Sequence, residues 1–127
     1  MDYSKLSDFE INKRVSICIH PDIKNWNCYD VSGRACFVIN EGTPKRVQYG
    51  FSFTSDPADA WPIITANKIS IYAMSDADKR GGWGAEAFHP NDAYSFNDNP
   101  LRAAMIVFLM MQESANVPAN STGSDLR

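Results

Sequence analysis

The sequence predicts an α+β domain, an antiparallel sheet of about four strands with an N-terminal helix, a short central helix and a long C-terminal helix packed on it. Three observations carry the prediction. A helix-capping signal stands at Ser7 to Glu10, an Asn99-Pro100 start precedes an unbroken apolar run from Ala103 to Met111, and the segment between alternates apolar and polar residues. The length, 127 residues, fits one domain over 1–115 followed by a disordered tail, 116–127, where Pro, Ser, Thr, Gly and charge replace apolar residues.

The first helix is predicted from Asp8 to about Ile19. The Ser7 hydroxyl can accept from the Glu10 amide while the Glu10 carboxylate reaches back, and Leu6 and Ile11 stand at the staple positions. Ile11, Val15, Cys18 and Ile19 form its apolar face, leaving Asn12, Lys13 and Ser16 to solvent, and His20-Pro21 ends it. Two strands follow, Ala35 to Ile39 and Arg46 to Phe53, joined by a turn-rich loop. Pro62 belongs in a first helical turn, which places a short helix from Trp61 to about Ala66 with Asn67 as its left-handed stop. Ile69 to Met74 reads as a third strand, with Gly84 to Phe88 pairing to it across the Asp76 to Gly82 loop. The last helix starts with Asn99 as cap and Pro100 at its first position, and Leu101, Ala104, Met105, Phe108 and Leu109 form its core stripe.

Composition excludes several classes. The hydrophobic fraction of 44% and charged fraction of 21% are those of a globular chain, and a net charge of -3 gives no general attraction to phosphate backbones. The N-terminus lacks a basic segment followed by an apolar run, and the longest apolar run falls well short of the roughly 20 residues that span a bilayer. Three cysteines, Cys18, Cys28 and Cys36, are expected to be reduced.

Three segments resemble a known family when taken together. They are Asp2 to Lys13, the stretch Asp56-Pro57-Ala58-Asp59-Ala60-Trp61-Pro62-Ile63-Ile64, and Asn99-Pro100-Leu101-Arg102-Ala103-Ala104-Met105. The chain resembles the NinX family of tailed-phage proteins, small products encoded near the recombination and late-control genes of lambda-like phages. The resemblance covers the first helix, the centre and the last helix, and leaves Asp22 to Gly50 and Met74 to Asp98 unmatched. It implies a phage origin and the host bacterial cytoplasm, and it implies no particular activity.

No motif spells out a chemistry. Cys18, His20, Cys28 and Cys36 have zinc-binding atom types without the tight knuckle spacing, and core thiols are the reading that their positions favour. A P-loop, dinucleotide fingerprint, nucleophile elbow and His-Glu-x-x-His motif are all missing, so no catalytic residue, metal or cofactor is assigned. The candidate ligand-binding residues are Arg80 and Trp83, in a glycine-rich loop where a guanidinium and a stacking ring could meet, together with Asp59, Trp61 and Arg102. Each has a plainer alternative: a hairpin turn with an anchored Trp at 80–84, a Trp covering the sheet edge at Trp61, and for Arg102 a salt bridge to Asp98.

The leading expectation is a non-enzymatic accessory protein that binds an unidentified host or phage protein. It is expected to be a homo-oligomer through the second face of the last helix at Val107, Met110 and Met111. The alternative is a small-ligand binder, a sponge for a nucleotide-like signal acting against host defence. Single-stranded nucleic-acid binding is the third reading, set back by the acidic balance.

Overall fold

The computed structural model describes residues 1–89 and 91–115, and the expected tail, 116–127, lies outside them. Among the described residues three α-helices, α1 (Asp8–Ile19), α2 (Pro57–Ala66) and α3 (Pro100–Ala115), combine with six strands. The strands are β1 (Asn27–Val31), β2 (Arg34–Ile39), β3 (Val47–Phe51), β4 (Ser70–Ala73), β5 (Trp83–Ala87) and β6 (Ala93–Asn97). They form two antiparallel sheets, ordered β1-β2-β3 and β4-β5-β6, in place of the one sheet of about four strands expected.

The two strands that the alternation rule does not predict, β1 and β6, break it for physical reasons. β1 is an edge strand, exposed along most of its length, and it pairs with β2 through a tight turn in which Ser32 and Gly33 both adopt positive φ. β6 reverses the usual pattern: Ala93 and Ser95 are buried, while Tyr94 and Phe96 lie on the outer side. The pairing expected across the Asp76 to Gly82 loop is present, with Ile71 opposite Ala85.

Helix α1 lies on the first sheet and α3 on the second, and α3 also meets α1 and α2. That enclosure explains the apolar run. Every residue from Ala103 to Leu109 is buried, and α3 approaches β5 and β6 over small side chains, Ala85, Ala87 and Ala93. Val107 is fully buried and Met111 nearly so, which corrects their assignment to a subunit interface; only Met110 is half-buried. The helix has spent its second face inside its own chain.

The caps are those predicted. The Glu10 amide donates to Ser7 Oγ at 3.1 Å and Glu10 accepts from the Ser7 amide, while Asn99 Oδ1 accepts from the Leu101 and Arg102 amides at 2.9 and 3.2 Å. The buried face of α1 differs from the prediction, since Ile11, Asn12, Val15 and Ser16 point inward and Cys18 and Ile19 are exposed. Polarity misled because Asn12 is buried with full hydrogen bonding. Its Nδ2 donates to the Gly33 carbonyl at 2.9 Å and to Thr54 Oγ1 at 3.3 Å, and its Oδ1 accepts from the Phe53 and Thr54 amides at 2.7 and 3.1 Å.

Helix α2 begins at Pro57, four residues before the predicted start, with Asp56 accepting from the Ala58 amide. Pro62 therefore sits inside the helix. Its missing N–H removes the helical bond that the carbonyl of Ala58, an exposed residue, would otherwise accept. Past the helix end the left-handed residue is Lys68, with φ +54°, and Asn67 instead donates its side-chain amide to the Ile63 carbonyl.

Candidate functional site

The structure distributes the sequence candidates. Asp59 is a fold element, since its carboxylate accepts from the Ser52 amide at 3.0 Å where β3 leads into α2. Arg102 reaches back to the N-terminus. Its guanidinium pairs with Asp8 at 2.7 Å and donates to the Ser4 and Leu6 carbonyls, which corrects the expected pairing with Asp98 and uses the fork internally. Trp61 stands on the solvent side of α2 with 60% of its surface exposed. Arg80 is held by Asp78 at 2.7 Å, and its Cζ lies 3.9 Å from the centre of the Phe96 ring. Trp83 opens β5 opposite Ala73 and Asn97, partly exposed.

Arg80 therefore belongs to an aromatic face. On the outer side of the second sheet, Tyr72 and Phe96 flank Gly84 on the neighbouring strands, and Tyr94 flanks Glu86 beside them. A Cβ at Gly84 would stand 2.4 Å from the Tyr72 ring, so glycine lets that ring lie flat on the sheet. Asp92 raises the Glu86 pKa, chiefly through side-chain hydrogen bonding. Aromatic rings with two carboxylates and a paired arginine suit a polar-apolar partner surface and repel a phosphate backbone.

A second feature was not anticipated. Where α1 ends, a 3₁₀ turn, Pro21–Ile23, brings the chain over β3, and a cleft of about 390 Å³ opens between them. His20, Asp22, Ile23, Tyr49 and Phe51 line it. His20 stacks on Phe51 with ring centres 5.4 Å apart, Phe51 stacks in turn on Phe53, and Tyr49 stacks on Trp26 at 5.5 Å. Tyr49 is 49% exposed, so ring surface remains open at the cleft. The sequence carried part of this signal in the alternation of Val47, Tyr49 and Phe51. The rest depends on contacts across roughly 30 residues of chain, because His20-Pro21-Asp22 read only as a helix stop.

The cysteines do not converge on a function. Cys36 is buried, Cys28 half-buried and Cys18 exposed, and partial burial raises the thiol pKa of Cys18 and Cys28, keeping both protonated. No group of three or more His, Cys, Asp or Glu able to hold a metal occurs among the described residues. No helix among them is long and apolar enough to cross a membrane.

This arrangement, two small antiparallel sheets each covered by a helix and joined through α2, is shared with a phage protein. The 2.0 Å crystal structure of a phage protein from Bacillus cereus ATCC 14579 matches with a TM-score of 0.55 and 15% sequence identity, over 85% of this chain and 89% of that one. The likeness establishes the fold. The family described as Bacteriophage P22, NinX matches residues 2–112, and the chain belongs to that family. None of the curated proteins compared matches it.

Proposed function

We propose that this protein is a non-enzymatic phage accessory protein that captures a small ligand with a planar ring in the cleft between the α1 end and β3, within the cytoplasm of the infected bacterium. The observation that carries the reading is the cleft itself. Its volume of about 390 Å³ falls in the range of small-ligand sites, and aromatic rings with a few polar groups are their usual lining. Capture without turnover needs only affinity, which fits a site whose polar groups, His20 and Asp22, are not joined to a nucleophile.

The test is thermal unfolding with a panel of nucleosides, nucleotides, cyclic dinucleotides and aromatic amines. A ligand at 100 times its Kd adds about 2.7 kcal/mol, a rise of roughly 10 °C for a domain of this size. Tyr49→Ser should abolish the rise and leave the unliganded protein folded. A panel at millimolar concentration that leaves the midpoint unmoved removes the reading.

The outer face of the second sheet favours a second reading, docking of a host or phage protein on Tyr72, Tyr94 and Phe96 with Arg80 at the rim. Capture of the same protein by the native chain and by Tyr94→Ser would exclude that face.

A further inference from the structure

The chemistry of the cleft is polarised, and this bears on what its ligand presents. Three features of one sign meet there. Asp22 lines the cleft and makes no hydrogen bond or ion pair among the described residues, so its carboxylate is free to accept. Helix α1 terminates at the same place, with His20 as its cap, and carries no basic residue in its last turn. Its negative end is thus left without an internal cation. The walls are ring faces, which attract positive charge and the edges of N–H groups. No lysine or arginine lines the cleft, although Lys24 follows immediately on the turn.

We propose that the cleft recognises a planar group carrying a fork of two adjacent N–H donors, the edge shared by guanidinium and by guanine. The proposal rests on the small-ligand reading above and specifies its ligand. A carboxylate accepts two parallel N–H bonds from such a fork, while a flat frame lies against Tyr49. An anionic group enters last and stays outside, because Asp22 and the helix end both repel it. A ligand bearing phosphates therefore binds ring first.

Two matched pairs separate the possible sources, and each is read by NMR titration of the amides at 20–23 and 49–51. Guanosine is compared with inosine, which lacks the 2-amino donor, and arginine amide with lysine amide, which has charge without a planar fork. In whichever pair binds, the forked member should bind at least tenfold more tightly. Asp22→Asn, an isosteric change at an exposed residue, should remove that preference and weaken binding at least tenfold with the unfolding midpoint unchanged. Equal affinity within both pairs, or native-like affinity in Asp22→Asn, overturns the fork and leaves ring capture standing. If the donor-poor rings uridine and thymidine bind while both forked probes fail, the fork likewise falls alone. If no planar compound moves these amides, ring capture and the fork fall together.

Discussion

Replacing Asn12 with leucine should lower the stability of the fold by about 2 to 4 kcal/mol, more than its ordinary-looking position in α1 would imply. The side chain is fully buried and makes four hydrogen bonds, to the Gly33 carbonyl, the Thr54 hydroxyl and the Phe53 and Thr54 amides. Leucine removes all four partners and leaves two buried amides unpaired, at about 1 to 3 kcal/mol each. Burial of the added apolar surface returns about 1 to 2 kcal/mol. The hydroxyl can rotate toward another acceptor, and Gly33 is half-exposed, so its carbonyl can turn to water. Urea unfolding followed by circular dichroism measures the loss, which corresponds to a fall of roughly 8 to 16 °C in Tm. Native-state hydrogen exchange adds a local readout, because the Phe53 and Thr54 amides should lose protection ahead of the rest of the core. A loss below about 1 kcal/mol, with those two amides still protected, would refute the reasoning.

Arg102→Met should cost about 1.5 to 3 kcal/mol by releasing Asp8 and the Ser4 and Leu6 carbonyls, and Arg102→Lys should recover only part of it in the same urea assay. Gly81→Ala should destabilise more than Gly82→Ala by about 1 kcal/mol or more. Both have positive φ, but a Cβ at Gly81 would stand 2.5 Å from the Asn97 backbone while Gly82 faces open space, and matched thermal melts give the difference. Burial and the Glu113 carboxylate, to which its hydroxyl donates, push the Tyr3 pKa up to about 12 from an ordinary 10. The folded state thus holds the proton more tightly, so the contribution is complete below pH 10 and fades as the pH rises toward 12. The stability difference between the native chain and Tyr3→Phe should shrink over that window, and a constant difference would contradict the assignment.

Local signals in this sequence were legible wherever a few neighbouring residues determine the outcome. The Ser7 to Glu10 box and the Asn99-Pro100 start gave both long helices their first turns, and proline at position 21 marked the end of α1. What failed were inferences from polarity about which side faces inward. Asn12 and Ser16 are buried because each is hydrogen-bonded, the Ser16 hydroxyl donating to the Asn12 carbonyl at 2.6 Å, whereas Cys18 and Ile19 are exposed at the end of the helix. In β6 the alanine and serine face α3 because a helix approaching that closely leaves no room for rings, which go outside. Of the site, Arg80 was found with a different stacking partner, Phe96 in place of a ligand. Asp22 and Tyr49 were passed over because their proximity depends on how α1 crosses the first sheet.

The grip of Arg102 on the N-terminal segment also sets an order of events during synthesis. Asp8 and Arg102 are 94 residues apart in the chain, and at about 5 to 20 residues per second the ribosome needs roughly 5 to 20 s to deliver the second after the first. A 12-residue helix is marginal by itself in water, so until then α1 has neither its arginine clamp nor α3 to cover Ile11 and Val15. The first helix to leave the ribosome is thus among the last to be secured. A nascent chain stopped before residue 99 would still display that apolar surface to chaperones and proteases.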